Sequence, residues 1–217
     1  MERPILFSTG MVQAIIAGHK TETRRIIKPQ PDDDGLWNDT DLPRSLESKL
    51  VGWNGCTENG ESKEFKCRYG QTGDILWVRE SFAVVSGKFV YKAELEDIPK
   101  WQDISWKPSI HIPRRAARIL LEVIDIKAER LQQIDANGAI REGLPWEGSL
   151  LNFIFLWGKI NGPQSWDLNP WVWVIKFRRS KIMTAMQYVS DYDGFPHLQN
   201  IALDAFEAGR KSSQGSR

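Results

Sequence analysis

Gly18 to Pro29 reads GHKTETRRIIKP. The stretch carries Lys20, Thr23, Arg24 and Arg25 close together and then turns apolar. What lies on either side of it decides the class of fold. Upstream, Met11, Val12, Ile15 and Ile16 recur at helical spacing after Ser8 or Thr9, either of which can cap a helix start. Gly18 follows, where a left-handed helix end would sit. Before that helix, PILFS (Pro4 to Ser8) reads as a short strand. Downstream, TRRIIKP reads as extended, with Pro29 biasing Lys28 away from helix. The stretch is therefore a junction between a short helix and a strand.

The rest of the chain keeps this irregular alternation. YGQTGDILWVRESF announces a turn and a strand at Ile75 to Arg79, and KFVYKAE a further strand. RILLEVIDIKAERL alternates and is β-branched, which predicts a long strand. Asp135 caps a short helix, Ala136 to Glu142, closed by Gly143. SLLNFIFLWGKI predicts a more apolar helix. PWVWVIKFRR predicts a strand with Trp171, Trp173 and Ile175 on one face and Val172 and Val174 on the other. The expected class is α+β, with a small, mostly antiparallel sheet curled toward a barrel. Residues 30 to 72, rich in Pro, Gly, Asp and Asn, read as a surface insertion. Residues 180 to 217 read as a C-terminal extension, partly helical and then disordered.

The chain has 217 residues, 41% hydrophobic and 26% charged, which suits one elaborated domain with a real core. A net charge of +1 is too low for a protein that coats nucleic acid through phosphate contacts alone. Any such contact must come from local clusters, such as Lys20, Arg24, Arg25 and Lys28, or Arg114, Arg115 and Arg118. Two cysteines, Cys56 and Cys67, and three scattered histidines offer neither a disulfide framework nor a metal cluster, and no cofactor is expected. No run is long and apolar enough for a membrane span, and MERPILFSTG lacks a signal-peptide core, so a cytoplasmic protein is expected.

Chemically, Lys20 and Thr23 can converge if the chain turns between them. A threonine hydroxyl becomes a nucleophile when a base takes its proton, and a lysine whose pKa is lowered by burial can be that base. An acid that orients the lysine completes such a set. Glu142, in the last turn of its helix, and Glu80, at a strand end beside Arg79, are the candidates. The competing reading is a solvated basic turn complementing a helix C-terminus. Arg24 and Arg25 point to opposite sides of an extended segment, so one can face a cleft while the other meets solvent or a phosphate. Trp101, Trp106 and Trp166 fall in loop-like segments, where an indole can stack a base or close the edge of a core.

Four phrases together resemble the ASCH domain, a branch of the PUA-like superfamily, in its phage- and prophage-encoded form. They are RPILFSTGMVQAIIAGHKTETRRIIKPQP, YGQTGDILWVRE, KPSIHIPRRAARI and NPWVWVIKFRR, and they span about residues 3 to 179. The family signature falls on Gly18, Lys20, Thr23 and Arg25. The resemblance implies a PUA-like β-barrel of five to six strands with flanking helices over residues 1–179, a cleft beside the signature, and a nucleoside or RNA partner. In one branch, amidohydrolases that deacetylate N4-acetylcytidine, the catalytic Lys and Thr match Lys20 and Thr23, and the catalytic Glu aligns on Glu142. It implies substrate binding by Arg25, with Arg24, Arg79, Arg114 and Arg115 as further contacts. The chain departs from those minimal enzymes in its length and its insertion, and many ASCH proteins have glutamate at the position of Thr23. The rival readings are a non-catalytic RNA-binding module and a ribonuclease, the latter lacking a histidine pair for acid–base cleavage.

Overall fold

A computed structural model describes residues 1–31, 36–37, 53–56, 62–94 and 104–180, with side chains omitted at 36–37, 53–56 and 62–65. The strands in chain order are β1 (Glu2–Leu6), β2 (Glu22–Ile26), β3 (Leu36–Trp37), β4 (Trp53–Cys56), β5 (Ser62–Phe65), β6 (Ile75–Arg79), β7 (Phe82–Val85), β8 (Lys88–Tyr91), β9 (Leu120–Arg130) and β10 (Trp171–Arg179). The helices are α1 (Thr9–Ile16), α2 (Ala136–Arg141) and α3 (Ser149–Asn161). The chain is thus α+β, as expected. It splits into a unit of Met1–Ile182 and a unit of Met183–Arg217, and the helix expected in the tail lies outside the described residues.

The central sheet has five strands in the order β1-β6-β9-β10-β2. Only the β1–β6 pair is parallel. β10 is buried between two cores, and its alternation is the one the sequence predicts. Trp173, Ile175 and Phe177 join Ile5, Val12, Ile15, Leu76, Val78 and Val123 on one face, the side covered by α1. Val172 and Val174 join Leu131, Ala139, Phe153 and Trp157 on the other, the side covered by α2 and α3. Each fully buried aliphatic side chain here removes enough apolar surface from water to stabilise the fold by about 1.5–3 kcal/mol.

β1 and β2 are the two outer strands, and no hydrogen-bonded ladder joins them among the described residues. The sheet is therefore not a closed barrel. It is nevertheless strongly curled. Strands at ~4.8 Å spacing would put the first and fifth of a flat sheet about 19 Å apart. Instead Arg25 of β2 donates from Nη2 to the carbonyl of Leu6 in β1 at 2.7 Å. The two edges meet through a side chain where a barrel would meet through its backbone.

Two features lie outside this sheet. Within the stretch read as an insertion, β3, β4 and β5 pair antiparallel with one another. The β7–β8 hairpin packs Phe82 and Tyr91 with Ile112 and Ala116 in a third cluster. The sequence reading missed β7.

The junction quoted at the outset is built as its residues require. α1 ends at Ala17, Gly18 adopts φ +78°, and the amides of His19 and Lys20 both return to the Ala14 carbonyl at 2.9 and 3.0 Å. Beside this junction, the Asp135 carboxylate caps α2 by accepting from the Gly138 amide at 2.6 Å. α2 then stops at Glu142 and Gly143, the latter at φ +91°. A Cβ added to Gly143 would lie 2.9 Å from the Cβ atoms of both Ala14 and Lys20. This glycine is what lets α2, α1 and Lys20 approach so closely.

Gly143→Ala combines a left-handed backbone with a clash against two groups that cannot swing away. The variant is expected to lose about 2–4 kcal/mol in urea unfolding. A loss under about 0.5 kcal/mol, the ordinary range for a neutral site, would contradict the close approach.

Candidate active site

β2 is an edge strand, and an unpaired edge leaves backbone groups that need partners. The end of α2 supplies them. The Thr21 amide donates to the Arg141 carbonyl at 2.8 Å. Lys20 and Glu142 form a single antiparallel bridge. The outward-facing amide of Arg24 donates to Glu142 Oε1 at 2.6 Å. The glutamate placed at the helix end by sequence is thus drawn onto the sheet edge and is 6% exposed.

Its other oxygen holds the lysine. Lys20 Nζ lies 2.6 Å from Glu142 Oε2, 2.7 Å from the Glu142 carbonyl and 3.0 Å from the Glu22 carbonyl. An ammonium has three donors, and all three are engaged. The side chain is 1% exposed and its Nζ stands 5.5 Å from the Phe7 ring centroid. Burial pulls the Lys20 pKa down from 10.5. The charge and hydrogen bond of Glu142 oppose that, while the Arg25 and Arg24 charges reinforce it. The result is a lysine lowered in pKa yet held in one position, as a general base needs to be.

Thr23 is 2% exposed and pairs with Ile175 in register, which places it on the face of the sheet opposite Arg24. Lys20, Thr23, Arg25 and Glu142 all line one cavity of about 120 Å³. Phe7, Ser8 and Met11 line it from the β1–α1 junction, and Phe153, Trp157 and Asn161 from α3. Among the described residues no hydrogen bond links the Thr23 hydroxyl to Lys20. A cavity of roughly 150 Å³ takes a benzene ring, so this one is of the order of a small planar group.

Arg24 is the main correction. It lines the cavity with Lys20, Thr23 and Arg25, but at 5% exposed it is not a solvated side chain. It donates from Nε and Nη2 to Glu129 Oε1 at 3.1 and 2.9 Å and lies 3.5 Å from Glu142 Oε1. Its Nη1 is 2.8 Å from Glu22 Oε1, a close ion contact without hydrogen-bond alignment. Arg141 holds the second Glu22 oxygen at 2.9 Å. The reason is topological: β2 lies against β10 and next to α2, so the face that carries Arg24 is covered. Glu22 and Glu129, which sequence reasoning did not single out, are its buried counterions. The alternation of Glu22 and Arg24 on one strand face was the one available signal.

The other candidates lie elsewhere and do not line the cavity. Glu80 is 1% exposed but forms a two-pronged pair with Arg118 at 2.9 Å on each prong, so it does not pair with Arg79 and is not the acid beside Lys20. Arg79 lies over Trp77, Arg114 pairs with Glu2 at 2.8 Å, and Arg115 is exposed. Trp166 packs edge-on against Phe153 in the α3-side core, Trp106 faces Lys92, and Trp101 lies outside the described residues. Cys67 is a buried free thiol, its pKa pushed up to about 11 mainly by burial, so it is a poor nucleophile. No group of three or more His, Cys, Asp or Glu suited to a metal ion occurs among the described residues. No helix among them is long and apolar enough to cross a membrane.

No family model, no curated protein and no solved structure matches the chain.

Removing one member of a buried pair strands the other. Glu142→Ala is expected to cost about 3–5 kcal/mol, because it leaves the Lys20 ammonium with backbone partners only and bares the Arg24 amide. The double variant Lys20→Met, Glu142→Gln keeps an acceptor for that amide and removes the charge. It is expected to be more stable than the sum of the single changes by about 1–3 kcal/mol in denaturant titrations. Strict additivity would mean that the two groups do not interact.

Proposed function

We propose that this chain is an amidohydrolase that removes an acyl group from the exocyclic amine of a modified nucleobase or nucleoside, such as N4-acetylcytidine. The observation that carries the reading is the buried 2.6 Å contact of Lys20 with Glu142, beside a cavity that Thr23 also lines. With the ring inside, a ribose would extend toward solvent.

Thr23 Oγ1 attacks the acyl carbonyl carbon while neutral Lys20 takes the hydroxyl proton. Negative charge develops on the acyl oxygen beside Arg25, whose guanidinium is braced by the Leu6 carbonyl at 2.7 Å. Collapse breaks the C–N bond as Lys20 returns the proton to the leaving amine. The acyl group then rests on Thr23 as an ester. Water, losing a proton to Lys20, adds to the ester carbonyl; the acyl C–O bond then breaks, the carboxylic acid leaves, and Lys20 returns the proton to Thr23 Oγ1. Glu142 holds the amine at the cavity throughout, Lys20 releases one of its three hydrogen bonds to turn a lone pair to Thr23, and Arg24 keeps Glu142 on the sheet edge.

The reading carries the ASCH resemblance with it. The curled sheet, its edges tied through Arg25 and Leu6, is then the counterpart of the PUA-like barrel. A cytoplasmic setting, that of the host for a phage-encoded chain, goes with the same proposal. The rival, a binding module for RNA, draws less support from the two arginines named for phosphate contact that are engaged by carboxylates: Arg114 by Glu2 and Arg24 by Glu22, Glu129 and Glu142.

Incubation with N4-acetylcytidine should yield cytidine. Thr23→Val, which keeps the side-chain shape, should lower kcat/KM by at least about 100-fold. Only neutral Lys20 can accept a proton, and burial lowers its pKa from 10.5, so kcat should rise with pH with its midpoint below that value. No turnover together with salt-dependent binding of single-stranded RNA would overturn the hydrolase in favour of the module.

A further inference from the structure

One buried donor on the cavity wall plays no part in the hydrolysis. Trp157 of α3 lines the cavity and is 5% exposed, yet its indole Nε1–H makes no hydrogen bond among the described residues. Its ring is fixed by packing, with Phe153 at 5.8 Å between centroids and Val172 and Val174 in the same cluster. A buried donor left bare costs about 1–3 kcal/mol, and folded proteins hold few of them. An indole N–H is a donor only, so whatever answers it must accept.

A second unengaged donor belongs to another residue that lines the cavity. Arg25 Nε–H is buried and also lacks a hydrogen bond among the described residues, although Nη2 is anchored on Leu6 and the guanidinium lies 5.3 Å from the Phe7 centroid. Arg25 is two residues along β2 from Thr23 and shares its face. It is therefore assigned to the reacting carbonyl beside Thr23, which leaves the donor from α3 for another acceptor on the ring.

We infer that Trp157 is a specificity-determining residue that reads the 2-oxo group of a pyrimidine, across the ring from the amide being cleaved. The identity of the ring rests on the hydrolase reading; the role of the donor does not. The site then takes acylated aminopyrimidines that carry a ring carbonyl and rejects those that lack it, because the analogue leaves the indole N–H bare.

The test is calorimetric binding to the full chain carrying Thr23→Val, so that no ligand is consumed. The probes are N4-acetylcytosine and 4-acetamidopyrimidine, which lacks the 2-oxo group. The first should bind about tenfold more tightly. Adding Trp157→Phe, which keeps an aromatic ring and removes the N–H, should weaken the first about tenfold and leave the second unchanged. Equal affinities for the two probes, or equal weakening of both by Trp157→Phe, overturn the inference; so does binding of neither. The probe comparison needs no change at Trp157, so a poorly folded variant cannot shield it. Discrimination without turnover by the wild-type chain defeats the hydrolase and leaves the reading of Trp157 standing; turnover without discrimination does the reverse.

Discussion

A single carboxylate ties the helical layer to the sheet. Glu142 ends α2, and its two oxygens do different work: Oε1 accepts the amide of an edge strand, and Oε2 accepts the ammonium of Lys20. An edge amide without a partner and a buried ammonium without a counterion would each be costly. One residue answers both. Gly143 at φ +91° then allows the chain to leave without striking Ala14 or Lys20. The placement of Lys20 and the covering of β2 are the same event.

Around that carboxylate the charges form a nested set. Arg24 sits among Glu22, Glu129 and Glu142, and Arg141 closes the far side of Glu22. Apart from Arg141, which is exposed, the set is buried, so each partner limits the freedom of the next. Buried networks of this kind seldom add much stability over an apolar core, but they fix geometry when fully paired. What the network secures for Lys20 is a fixed position. The curl of the sheet adds the other half: it brings Leu6 and Phe7, from the edge opposite β2, to the same cavity as Thr23 and Arg25.

Much of this was legible in the residues. The alternation of Trp173 and Ile175 against Val172 and Val174 gave a strand buried on both faces, and the structure has it so. Asp135 and Gly143 bounded α2 correctly, and Gly18 marked the left-handed turn before Lys20. Glu142 could be named but not justified from local sequence, since its contact with Lys20 crosses 122 positions. Arg24 was misplaced for a related reason. Whether a strand residue meets solvent depends on what packs over that face, and the cover here comes from α2, more than a hundred residues away. Trp157 was hidden by the opposite effect: within SLLNFIFLWGKI it reads as one more apolar core residue, and only its unengaged N–H sets it apart.

The central claim is that Thr23, served by Lys20, carries the acyl group. Rapid quenching of the wild-type chain with N4-acetylcytidine, followed by peptide mass spectrometry, tests it most directly. The account predicts a transient acetyl group on Thr23, gone once substrate is exhausted. Turnover with an acetyl group on Lys20 instead, or with none on the peptide that holds Thr23 even when Lys20→Met slows the reaction, would contradict it.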